Sequence, residues 1–96
     1  MKHNVTTWQD MVEINYPISD INKGSKEFEI MNTAAKNGCP SAQHSMGIWY
    51  EAIAKDFEEA EKWYKRAADQ GHEGAQEAYN SLNARPYQGK EEQNEK

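Results

Sequence analysis

The side chains of this sequence suited to holding a soft metal ion are His3, His44, His72 and Cys39. A metal site needs ligands whose spacing makes them converge on one point, as in CxxC, HxxxH or HExxH runs, and none of those spacings occurs. No metal centre and no cofactor are therefore expected. Nucleophilic catalysis would require Ser41, Ser45 or Cys39 to be activated by His44. No glycine elbow or partner carboxylate at a meaningful spacing accompanies them. The carboxylates Glu58, Glu59 and Glu61 are near enough for acid–base work, but Glu58 and Glu61 each stand four residues before a lysine, Lys62 and Lys65. That order marks a solvated helix face with ion pairs worth roughly 0.2–0.5 kcal/mol each. No catalytic residue is assigned, and a hydrolase built on His44 is the least favoured class of function.

With little reactive chemistry to position, the elements themselves carry the reading. Ala34-Ala35-Lys36-Asn37-Gly38 aligns with Ala67-Ala68-Asp69-Gln70-Gly71, and Ala42-Gln43 aligns with Ala75-Gln76, at one and the same offset along the chain. Between Asp56 and Gln70 the residues Phe57, Ala60, Trp63, Tyr64, Ala67 and Ala68 recur at threes and fours, the stripe of an amphipathic helix. Asp56 with Glu59 is a variant of the capping box, and Gly71 supplies a left-handed terminator. The preceding unit follows the same plan, with Ser25 as cap, Phe28, Met31, Ala34 and Ala35 on the stripe, and Gly38 as terminator. Pro40 then opens a helix through Ala42, Met46 and Tyr50, where a missing amide is tolerated. A helix through Ala75, Tyr79 and Leu82 follows Gly71, and a degenerate first helix spans Trp8 to Tyr16 ahead of a Pro17–Asp20 loop. The prediction is an all-α fold of about five helices, a short solenoid of antiparallel hairpins over residues 1–84. Residues 85–96 are rich in Gln, Glu and Lys without apolar periodicity, and are expected to form a disordered charged tail.

A chain of 96 residues offers one domain at most. Its 36% hydrophobic and 28% charged residues are compatible with a packed core. Acidic residues outnumber basic ones 16 to 11, a formal charge of −5, which repels a phosphate backbone and would speed encounter with a basic protein. Direct binding of nucleic acid is not expected. The single Cys39 permits no intrachain disulfide, the N-terminus lacks the apolar stretch of a signal peptide, and Met46–Tyr50 is far too short to cross a bilayer. The expectation is a cytoplasmic protein without a membrane partner.

The run Ser41-Ala42-Gln43-His44-Ser45-Met46-Gly47-Ile48-Trp49-Tyr50, followed by Lys55–His72 with its Trp63-Tyr64-x-x-Ala67-Ala68-x-x-Gly71 ending, resembles a Sel-1-like repeat. One full unit with partial units on both sides would cover about residues 7 to 83. The chain departs from the family in two respects: only Glu51-Ala52-Ile53-Ala54-Lys55 stands where the family carries a longer, Gly-rich loop, and the number of units is low for an array that commonly needs about three to close a core. The resemblance implies a tetratricopeptide-like α-solenoid that serves as an adaptor or scaffold, binding through a concave face, and it implies no reaction.

On a helical wheel Ala42, Met46 and Tyr50 centre one face, which puts His44 and Ile48 nearly opposite and Trp49 at the flank. The matching positions of the following helix are Glu73, Glu77 and Ser81. These six residues are the expected partner-binding strip, unless the helix bearing Trp8 covers Ile48 and Trp49. Tyr64 and Ala67 are expected to be structural. The function expected is a non-catalytic inhibitor, such as an immunity protein for a bacterial toxin or an anti-defence protein, that occupies a basic surface of its partner. A scaffold or regulatory adaptor linking two proteins is the alternative, and a second copy of the chain is an alternative partner.

Overall fold

The computed structural model describes residues 5–84; His3 and the tail 85–96 lie outside the described residues. Among the described residues all regular structure is helical: α1 (Trp8–Glu13), a 3₁₀ turn (Ile18–Asp20), α2 (Lys26–Lys36), α3 (Pro40–Ile48) continuing into a π-helical segment (Trp49–Ala54), α4 (Phe57–Asp69) and α5 (Glu73–Ala84).

Each helix starts where its first amides find an acceptor. Thr7 caps α1 in a full capping box with Asp10, Ser25 accepts the Phe28 amide at 3.1 Å, and Asp56 accepts the Glu59 amide at 3.2 Å. Asp10 in turn accepts from Thr6 and Thr7, and chiefly the bond from the Thr6 amide holds its carboxyl below the usual range. Pro40 opens α3 without needing a donor.

The helix ends repeat one device. At the end of α2, Cys39 N–H reaches Ala34 O and Gly38 N–H reaches Ala35 O; at the equivalent place after α4, His72 N–H reaches Ala67 O and Gly71 N–H reaches Ala68 O. These are the paired bonds of a Schellman motif, and Gly38 and Gly71 take the positive φ it requires, 102° and 95°. Asn15 plays the same part after α1 at φ 58°, with Tyr16 N–H on Met11 O and Asn15 N–H on Val12 O. This is why α1 ends at Glu13 and does not run on to Tyr16 as its sequence suggested.

The expected loop at 51–55 is also corrected. Glu51-Ala52-Ile53-Ala54 contains neither glycine nor proline to stop a helix, so α3 continues as π turns until Lys55 flips to φ 59°. The Asp56 amide then returns to Tyr50 O at 2.8 Å, and α4 begins at once.

The interior divides into two clusters. The larger joins Val5, Met11, Ile21, Phe28, Met31, Ala35, Met46, Trp49 and Trp63; the smaller joins Ala60, Tyr64 and Leu82, with Ile48, Phe57 and Tyr79 packed against it and Tyr50 touching both. Along the chain, α2 packs on α3, α3 on α4 and α4 on α5. At Gly47 a Cβ would overlap the Tyr64 ring, so only glycine lets α3 and α4 meet as they do. None of the helices among the described residues is long and apolar enough to cross a membrane.

Candidate functional site

The six residues expected to share one exposed strip are not brought together. Trp49 is the clearest correction: it is 4% exposed, its ring meets Phe28 edge-on at 4.9 Å and Tyr50 at 5.2 Å, and its Nε1 donates to Ile21 O at 2.8 Å. Trp49 is therefore interior, covered by the Ile21 loop and α2, within the cluster that also holds Met11 of α1. Ile48 is half-buried against the Ala60–Tyr64–Leu82 cluster, and His44 is half-buried with its ring 4.7 Å from His72 and 5.8 Å from Tyr64. Glu73, Glu77 and Ser81 stand exposed on α5. Their counterparts on α3 do not, because α4 and α5 occupy the space in front of them.

A buried polar residue explains the contrast. Gln43 is 5% exposed; its Nε2 donates to Ala35 O at 2.9 Å and its Oε1 accepts from Gln70 Nε2 at 2.9 Å, tying α2 to the end of α4. Its counterpart in the following unit, Gln76, is exposed and bonds only locally, to Asn80 at 3.1 Å. Likewise buried Gly47 corresponds to exposed Asn80, and half-buried Ile48 to exposed Ser81. Within the described residues no later helix lies on α5 as α4 lies on α3, and α5 is accordingly polar on that side.

The two serine candidates line a different surface from the one on which the expected base packs. Ser41 Oγ accepts the Trp8 indole N–H at 3.3 Å, and Ser41 and Ser45 line a groove against α1, whereas the His44 ring packs on His72 and Tyr64. Among the described residues no group of three or more His, Cys, Asp or Glu side chains is placed to hold a metal ion.

Two depressions lie toward the other end of the described residues, around Trp8. The indole is half-buried and divides them. One, of about 370 Å³, runs between the Thr6–Trp8 segment and α2, where Ile30 and Ala34 form the floor and Lys26 and Glu29 contribute charge. The other, of about 180 Å³, lies between α1, the 3₁₀ turn and α3, where Val12, Tyr16, Ile18 and Ser45 line the wall. Val12 is 46% exposed, and Ile14 beyond it is exposed as well. Burial, followed by the carboxylates of Glu27 and Asp20, pushes the Tyr16 phenol above its ordinary value, and those two carboxylates are the negative charges near this groove. Helix α1 itself brings Asp10 and Glu13 and no basic residue. The surface combines an aromatic anchor, apolar walls and acidic surroundings. Its one legible signal was Trp8, the large apolar residue of the first helix.

Compared with known proteins, the chain matches no family model, no curated protein and no solved structure.

Proposed function

We propose that the chain is a non-catalytic protein-binding module whose docking surface is the pair of grooves flanking Trp8. The observation that carries this reading is the held indole between two open depressions, with Val12 exposed at its side. An apolar side chain entering beside Trp8 would bury surface worth about 25 cal/mol per Å². The partner this surface fits is a protein segment that offers such a side chain next to Lys or Arg. Asp10 and Glu13 on α1, and the formal charge of −5 on the whole chain, would favour it in encounter and in register.

The form we favour for the scaffold is a short solenoid of helix hairpins similar to Sel-1-like repeats. It is supported by the sequential packing of α2 to α5, by matching Schellman terminations at equivalent positions of the two units, and by burial at the equivalent pairs Ala42 and Ala75, and Trp49 and Leu82. The biological role we favour is inhibition of a basic cytoplasmic partner, such as a toxin or a nucleic-acid enzyme, in the manner of an immunity or anti-defence protein.

The test starts from partners recovered with the tagged full-length chain from its own cells, followed by dissociation constants for purified pairs. Val12→Lys is expected to weaken binding at least about tenfold, the loss of one anchoring contact of about 1.4 kcal/mol. Because Val12 is exposed, its melting temperature should stay close to that of the wild type. A partner bound equally well by Val12→Lys, or a partner that is itself acidic, would contradict this reading. Simultaneous capture of two proteins on separate faces would favour an adaptor instead.

A further inference from the structure

His72 serves both helices that meet at it. Its backbone N–H completes the Schellman motif of α4 on Ala67 O at 3.2 Å, and its side chain opens α5, with Nδ1 accepting the Ala75 N–H at 3.0 Å. Ser, Thr, Asp or Asn ordinarily fills this capping position, because their oxygens keep a lone pair across the physiological pH range. An imidazole keeps that lone pair only while it is neutral and carries its proton on Nε2.

The ring does not stand alone. His44 of α3 lies 4.7 Å from it, centroid to centroid, and packs against Tyr64 of α4 at 5.8 Å. A Cβ on Gly74 would come within 3.2 Å of His72 Cε1 and 3.4 Å of His44 Cε1, so the glycine lets α5 close over both rings. Three helices thus converge on one imidazole pair. The other titratable groups nearby are Tyr64, whose hydroxyl donates to Glu51 Oε1 at 2.7 Å, the exposed Glu73 and Glu77 of α5, and the exposed Arg66 and Asp69 of α4. Neither Glu73 nor Glu77 restores a lone pair at the cap, although both would attract an imidazolium.

We propose that His44 and His72 form an acid-released latch that holds α5 on α3 and α4. A proton on His72 Nδ1 turns the acceptor of the cap into a donor facing the Ala75 amide, and a proton on His44 places a second cation against the first. Burial, and next the neighbouring His72, hold the His44 pKa below its ordinary 6.5. At His44 the folded chain therefore binds fewer protons than the unfolded chain. This part of the stability is fully present above pH 6.5 and is lost as pH falls through the lower folded value. In an acidified compartment, or against a partner that protonates the pair, α5 is the element that lets go.

Amide hydrogen exchange on the full-length chain, corrected for intrinsic rates, reads the latch directly. Between about pH 7.5 and about pH 5, protection across α5 is expected to fall roughly tenfold or more, while α2 keeps its protection. His72→Asn, whose amide oxygen keeps its lone pair at every pH, should lose far less. A parallel loss in His72→Asn and wild type would overturn the proposal. Nitrogen chemical shifts of the wild-type imidazoles supply a readout that does not depend on the variant folding: an Nε2–H tautomer of His72 at neutral pH is expected, and an Nδ1–H tautomer would overturn the latch.

Discussion

Replacing Trp49 by alanine is expected to lower the unfolding free energy by about 3–5 kcal/mol, measured by urea denaturation followed by circular dichroism. The indole fills the larger cluster, and its removal leaves a cavity bounded by Phe28, Tyr50 and Ile21 and deprives the buried Ile21 carbonyl of its donor. For a domain of this size such a loss is comparable with the whole stability, so the variant should be largely unfolded at physiological temperature. Trp49→Phe restores most of the apolar volume without the N–H, and should cost about 1–3 kcal/mol, the share that belongs to the orphaned carbonyl. An alanine variant as stable as the wild type would mean that the ring does not sit in the interior at all.

The second large effect is expected at the crossing of α3 and α4. Tyr64 is 1% exposed, and Tyr64→Ala should cost about 3–5 kcal/mol by the same cavity argument. In the wild type, Gly47→Ala drives a methyl group into that ring and should cost about 1–3 kcal/mol despite the better helix propensity of alanine. In the Tyr64→Ala background the methyl has room, and the same substitution should become stabilising by up to about 1 kcal/mol. A double-mutant cycle measures this change of sign, and simple additivity would show that residues 47 and 64 do not touch.

The punctuation of the fold was legible because it depends on single residues whose local chemistry has few alternatives. Ser25 and Asp56 accept first-turn amides, Pro40 opens a helix, and Gly38 and Gly71 turn left-handed, all where the sequence placed them. The inward stripe of α4 was equally plain, since Ala60, Trp63, Tyr64 and Ala67 leave little choice of face. Less legible was anything set by what lies opposite. A wheel places Trp49 at a flank but does not show that Ile21 and Phe28 arrive from far earlier in the chain to cover it. The same holds for Gln43, which shares an Ala-Gln motif with Gln76 yet is interior only because α2 and Gln70 enclose it. The π turns at Trp49–Ala54 are less legible because the run Glu51–Lys55, without glycine or proline, fits a shortened loop and a continued helix alike. The grooves beside Trp8 arise from how α1 leans on α2 and α3, a relation that no local pattern encodes.

The contrast between Gln43 and Gln76 bears on anyone who wishes to lengthen this molecule. A further helix laid upon α5 as α4 lies upon α3 would meet Asn80 in place of Gly47 and Ser81 in place of Ile48, with Glu77 standing where His44 stands. It would find a surface dressed for water. Grafting another hairpin therefore calls for repainting those positions first.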